Sequence, residues 1–207
     1  MKNLPKFFQL IKKTDAIISL IIGFLIGVFF FIILETIEIK IPYSLLLIII
    51  FPTLSTLGML IASLLGKKFL IILQLAKFVL VGALNTFVDL GLLNALIWIS
   101  GIATGSWYSV FKGISFLVAT VNSYFWNKHW TFEKRERIFV SGEFSKFLVV
   151  VSIGFAFNVG IASIIVNVIG PQFGITEKIW ATVGAFLAGL TAWLWNFLSA
   201  KFIVFKK

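Results

Sequence analysis

Long apolar runs alternate with short polar intervals along the whole chain. Residues 16–34, AIISLIIGFLIGVFFFIIL, are 19 consecutive uncharged positions, about 28 Å of helix, which matches a hydrocarbon core of roughly 30 Å. The run ends in ETIEIK rather than a small-residue cleavage site, so it reads as a signal anchor. Further runs predict spans at 43–65, 78–99, 109–127, 146–169 and 179–200. The pattern therefore predicts an all-α membrane protein with six transmembrane helices, the second carrying Pro52 and Gly58 as a kink. KKFLIILQLAK, from Lys67, reads as a segment lying along the membrane surface ahead of the third span.

Charge sets the orientation. Lys and Arg number 4 before the first span, then 1, 3, 1, 5, 1 and finally 3 from Lys201 onward, which assigns 15 of 18 to one side. The positive-inside rule puts that side, and both termini, in the cytoplasm, as in a multi-pass protein of the cytoplasmic membrane. Trp107, Tyr108 and Trp180 fall near the outer interface and Trp126 and Trp130 near the inner one, the positions of aromatic belts.

Composition narrows the function classes. With 60% hydrophobic and 13% charged residues, no segment is polar enough to fold in water, so the net charge of +10 points to anionic membrane lipid and not to nucleic acid. Cysteine is absent, histidine occurs once, and the only aspartates are Asp15 and Asp89. Neither a usual zinc site nor a paired-aspartate metal site can be assembled, and no phosphate loop is present, so the sequence predicts no enzyme, no metal and no cofactor. Glu35 and Glu38 read as solvated loop carboxylates.

An internal repeat organises the second two thirds. QLAKFVLVGALNTFVDLG from Gln74 aligns with EFSKFLVVVSIGFAFNVG from Glu143 at an offset of 69, superposing Lys77 on Lys146 and Asp89 on Asn158. SYFWNKHWTF from Ser123 aligns with NFLSAKFIVF from Asn196 at an offset of 73, placing Lys128 over Lys201. Both copies start on the cytoplasmic side, which makes them parallel helical-hairpin repeats, with halves at 74–132 and 143–205. Residues 1–66 form an added N-terminal hairpin and 67–207 a four-helix domain.

KFVLVGALNTFVDLG, NSYFWNKHWTF, KFLVVVSIGFAFNVG and NFLSAKFIVF, in that order, resemble the GtrA-like family of small membrane proteins over residues 74–207. That resemblance implies movement of a polyprenyl-phosphate-linked monosaccharide across the membrane for cell-surface polysaccharide synthesis or glycosylation, with a glycosyltransferase as partner. The family often has Arg after the motif asparagine where this chain has Lys128, which keeps the charge but loses the bidentate fork.

Candidate site residues follow from depth and chemistry. Asp89 lies 12 residues past Lys77, about 18 Å and hence near the midplane, where a carboxylate must be paired, protonated or in contact with water. It reads either as a sugar-hydroxyl or proton-relay site or as a polar pairing between helices, for example with Asn158 or Asn122. Gly82, Asn85, Thr86 and Asp89 share one helix face, predicted to point inward. Asn85, Thr86, Asp89, Asn122, Asn158 and Asn196 form the expected sugar seam, although interhelical pairing explains buried amides equally well. Lys128, Lys201 and Asn127, at the cytoplasmic helix ends, form the expected phosphate contact, where a topology anchor also accounts for the lysines. His129 reads as interfacial. Gly184, Ala188, Ala192, Asn196 and Ala200 repeat every four residues as a helix-packing ridge. Two other functions fit the sequence: an anchor that recruits a glycosyltransferase through residues 133–146, and a proton-coupled carrier of a small solute. A homo-oligomer would complete a pathway that one small chain leaves open.

Overall fold

The computed structural model describes residues 11–131 and 141–199, which form six α-helices and no strand. Helix α1 is Lys13–Thr36, α2 Leu47–Gly66, α3 Leu70–Ser100, α4 Gly105–Trp126, α5 Ser141–Ser163 and α6 Glu177–Ser199. Single π-helical turns, Asn127–Thr131 and Ile164–Ile169, follow α4 and α5. Ser44–Gly66, α1, α3 and Ser152–Ile169 are long and apolar enough to cross a membrane, so this is a multi-pass membrane protein. Helix α4 falls short of that apolarity because its inward stripe is Tyr108, Lys112, Ser115 and Ala119.

Helix α1 packs on α2 and α3 through Ser19, Ile22, Gly23, Ile26, Gly27 and Ile33, the i, i+3, i+4 stripe of a one-sided helix. Its glycines bring backbones together. A Cβ on Gly23 would stand 2.5 Å from Pro52 Cα and 2.6 Å from the Phe51 carbonyl oxygen, and one on Gly27 2.6 Å from the Leu47 oxygen. Ser55 Oγ donates to the Ser19 carbonyl at 2.7 Å, tying the same crossing. Phe29 fills the space left by the missing side chain of Gly91 on α3.

Helix α3 has 31 residues, about 46 Å, well beyond the thickness of a hydrocarbon core. It starts at Leu70, so the segment expected to lie on the surface is instead the first turns of the continuous helix. Cooperative backbone bonding carries the helix through, since no Gly or Pro interrupts residues 70–81. Helix α3 closes at Gly101 in the left-handed region (φ 73°), whose N–H bonds Ile97 O at 2.8 Å.

Helices α3–α4 and α5–α6 pack as hairpins, joined through α4–α5. Ala181, Gly184, Ala185 and Ala188 are buried, and a Cβ on Gly184 would meet Val166 Cγ2 at 2.7 Å, so small residues set the α5–α6 approach. The expected ridge is observed at Gly184 and Ala188; its remaining side chains lie outside the described residues. The interior divides into two apolar clusters. One joins Leu90, Leu93, Ile97, Tyr108, Val166 and Trp180; the other joins Ile22, Ile26, Met59, Val81, Leu84, Val88 and Trp130.

Three of the five residues expected in aromatic belts are core residues. Tyr108 is buried with its hydroxyl on Ala181 O (3.1 Å), Trp180 Nε1 reaches Ile165 O (2.8 Å), and Trp130 Nε1 reaches Asp15. Each polar tip finds an interior acceptor, which makes burial of the large ring favourable. Trp126 is half-buried and Trp107 exposed.

Gly23→Ala should lower stability by about 1–3 kcal/mol through this backbone clash, read as thermal unfolding in detergent. Gly82→Ala, whose Cβ would meet nothing within 4 Å, should be neutral or slightly stabilising. Lys178 Nζ lies 2.6 Å from Glu38 Oε1 on the exposed surface. That hydrogen bond, then the ammonium charge, holds the Glu38 carboxyl below its ordinary value. A depressed folded-state value means the contact is kept above the ordinary carboxylate range and lost as pH falls through the lowered value. Protection of the amides in residues 37–43, taken relative to the intrinsic exchange rate at each pH, should therefore fall on acidification, and Glu38→Gln should remove that loss of protection.

Candidate functional site: two buried ion pairs

Both aspartates of the chain are buried, each against a lysine. Asp89, on α3, lies at the boundary of the two apolar clusters, between Val88 and Leu90. Lys112 on α4 bonds both carboxylate oxygens, at 2.6 and 2.5 Å. Ser115, three residues on and so on the same face of α4, donates to Asp89 Oδ1 at 2.6 Å. The Lys112 side chain is 0% exposed and that of Asp89 12%. The carboxylate thus keeps a small open edge while its counter-ion has none.

Asp89 is thus paired between helices, one of its two readings, but with a cation where Asn158 or Asn122 served as the example. An ionised carboxylate in a low-dielectric interior gains far more from a cation than from a neutral amide. Sequence reasoning missed Lys112 because the charge tally assigned it to the outer boundary between the third and fourth spans. Helix α4 begins at Gly105 rather than 109, which draws Lys112 two turns inside. The available signal was its spacing with Tyr108 and Ser115, an i, i+4, i+7 stripe of hydrogen-bonding side chains.

The second pair lies about 18 Å further toward the start of α3. Asp15 Oδ1 accepts from Lys77 Nζ and from Trp130 Nε1, both at 2.8 Å. The Lys77 ammonium also stands 5.4 Å from the centroid of the Trp130 ring, within cation–π range. Asp15 comes from α1, Lys77 from α3, and Trp130 from the π-helical turn that contains Asn127 and Lys128. Three separate segments therefore meet on one carboxylate.

The remaining predicted residues spread around these two layers. Asn85 and Asn158 each present a buried Oδ1, and Asn122 a buried Nδ2, without a partner among the described residues. Asn122 Oδ1 accepts from Trp126 Nε1 at 3.0 Å. Asn127 Nδ2 donates to Ser123 Oγ at 3.3 Å. Thr86 departs from the inward face expected for it: it is exposed and turns its hydroxyl onto Gly82 O at 3.2 Å, within its own helix. Gly82 is exposed too, although Asp89, two turns further on and about 20° away around the helix, is buried. His129 is exposed and meets the Phe125 ring at a tilt of 49°, centroids 4.8 Å apart. The side chains of Lys128 and Asn196, and Lys201 entirely, lie outside the described residues, as do 132–140 of the connector.

The end of the bundle where α3 closes and α4 begins holds a neutral network that the sequence did not single out. Asn94 Oδ1 accepts from Thr182 Oγ1 (2.9 Å), and Thr36 donates to Asn94 O (3.2 Å), linking α1, α3 and α6. Asn167 bonds the backbone N–H and carbonyl of Gly105. These contacts tie the helix ends together on that side of the bundle, apart from the two charged layers.

Lys112→Met should destabilise by about 3–5 kcal/mol by stranding a buried carboxylate, whereas the double variant Asp89→Leu/Lys112→Met should recover most of that loss. Thermal unfolding of the three proteins in one detergent checks both numbers.

Residues 77–205 match the family model described as GtrA/DPMS, transmembrane domain, so the chain belongs to that family. No curated protein and no solved structure matches the chain. Membership ties this membrane protein to lipid-linked sugar processes, and the match covers Asp89, Lys112 and Ser115 together with Lys77 and Trp130.

Proposed function

We propose that this GtrA/DPMS-family protein translocates a polyprenyl-phosphate-linked monosaccharide across the cytoplasmic membrane, in a chain of six spans with both termini in the cytoplasm. The observation that carries the reading is the Asp89–Lys112–Ser115 cluster, buried midway along α3 inside the family domain. A monosaccharide entering hydrocarbon alone would leave several hydroxyls unbonded, each costing on the order of 2–7 kcal/mol. The cluster offers carboxylate, ammonium and hydroxyl together, and the unpartnered Asn85, Asn122 and Asn158 atoms add amide acceptors and a donor at neighbouring depths. The small open edge of Asp89 is where a sugar hydroxyl would meet the layer.

In this mechanism Lys128, Asn127 and Lys201 take the phosphate at the cytoplasmic mouth, where a partner glycosyltransferase makes the lipid. The sugar then exchanges hydrogen bonds along the seam while the polyprenyl chain stays in lipid. No bond is made or broken, so no catalytic residue, metal or cofactor is assigned. Lys112 joins the seam in place of Thr86, whose hydroxyl is already spent on its own helix.

Vesicles carrying labelled polyprenyl-phosphate sugar in one leaflet test the proposal. Label should become accessible in the other leaflet only when the protein is present. The stable double variant Asp89→Leu/Lys112→Met should slow that exchange by about a hundredfold, which separates transport from folding. Undiminished exchange would reject the seam; no exchange by wild type, with glycosylation lost on altering residues 133–146, would favour a recruiting anchor.

A further inference from the structure

The family domain carries almost no charge in the middle of its helices. Between Phe78 and Asn127 the only Asp, Glu, Lys or Arg residues are Asp89 and Lys112, and none stands between Phe147 and Thr176 or between Ile179 and Ala200. Those two neutralise each other, with Lys112 Nζ 2.6 and 2.5 Å from the carboxylate oxygens. The layer is charged in its parts and neutral as a whole.

What it offers a guest depends on which part is sealed. Lys112 is wholly enclosed, whereas the Asp89 side chain keeps 12% of its surface open. Asp89 Oδ1 accepts from both Lys112 and Ser115, and Oδ2 accepts from Lys112, which leaves lone-pair capacity for a further donor. The buried polar atoms left over are neutral and of both kinds. Among the described residues Asn85 and Asn158 each present an unpartnered acceptor, and Asn122 Nδ2 and Trp195 Nε1 are unpartnered donors. A hydroxyl both donates and accepts, so it can use every one of these; an ammonium only donates and a carboxylate only accepts.

We infer that this layer selects lipid-linked sugars that carry no charge on the sugar ring, and rejects amino sugars and uronic acids. The inference rests on the translocation reading and adds which monosaccharides the seam passes. A uronate would bring a second carboxylate against the open edge of Asp89, with the compensating ammonium sealed behind it. An amino sugar would find Asp89 already paired, and its ammonium would make a second interior cation with no second anion in these spans. Either way one charge is left uncompensated in a poorly solvated interior, which costs far more than one hydroxyl contact returns. A lone aspartate would favour the amino sugar. Lys112 reverses that preference, and so sets specificity without itself meeting the guest, while Ser115 fixes the carboxylate that does.

The test compares lipids built on one polyprenyl phosphate and carrying glucose, N-acetylglucosamine, glucosamine or glucuronic acid, at about pH 6, where an amine is protonated and a carboxylate ionised. In vesicles with the wild-type protein, the glucose and N-acetylglucosamine lipids should change leaflet at similar rates, and the two charged lipids about a hundredfold more slowly. N-acetylglucosamine is bulkier than glucosamine, so its passage separates charge from size. Protection of the protein from thermal unfolding by each lipid, read at equilibrium, should follow the same order. Lys112→Met, which leaves Asp89 unpaired, should raise the glucosamine rate relative to N-acetylglucosamine by about tenfold, and Asp89→Asn should do the same for glucuronate relative to glucose. The wild-type series decides the matter if neither variant folds. Similar exchange of all four lipids, equal protection by all four, or unchanged ratios in a folded variant overturns the inference. Exchange of all four would leave the transport reading standing, whereas absent exchange with the protection order intact would reject only transport.

Discussion

A carboxylate and an ammonium facing each other between two apolar cores constrain everything around them. Asp89 and Lys112 would each cost several kcal/mol if taken out of water alone, and only mutual contact plus the Ser115 hydrogen bond brings that cost back toward zero. Helix α4 must therefore turn its polar stripe, Tyr108, Lys112 and Ser115, inward. The apolar α1 and α2 are free to face outward, with Leu54, Ile61 and Leu65 exposed. Stability does not by itself account for the pair, since apolar residues of similar volume would serve as well.

Helix positions were largely legible in the sequence, because uninterrupted apolar runs long enough to cross hydrocarbon admit few other structures. The predicted 43–65 and 179–200 sit within a residue or two of the observed Ser44–Gly66 and Glu177–Ser199. Partnerships were not legible. Trp130 reaches a carboxylate 115 positions away, and no local pattern distinguishes such an indole from one in an interfacial belt. Lys112 was hidden for a related reason: a basic residue near the end of an apolar run looks like a topology marker until helix packing brings a carboxylate opposite. Asp89 stood out as a lone carboxylate in an apolar run, and its burial follows from physics that the sequence already contains.

The two halves suggested by the repeat differ where charge is concerned. Asp89 superposes on Asn158, which is buried with its carbonyl oxygen unpartnered among the described residues. Lys112 shifted by 69 or 73 positions falls on Ala181 or Ala185, both wholly buried. An alanine there allows the close α5–α6 approach that a lysine would prevent, and the neutral amide needs no counter-ion. The α3–α4 hairpin therefore holds a buried ion pair at positions where the α5–α6 hairpin carries an amide and an alanine.

The Asp15–Lys77–Trp130 contact bears on how this molecule can be taken apart. The family match opens at Lys77, yet that lysine's carboxylate partner belongs to a helix some sixty residues upstream. A truncation at the apparent boundary would strip a countercharge from an interior cation, uncover the Gly91 notch that Phe29 fills, and deprive an indole of its acceptor. Homology draws a modular edge at that position; electrostatics runs a seamless joint straight across it, so the excised fragment would be a different folding problem from the intact chain.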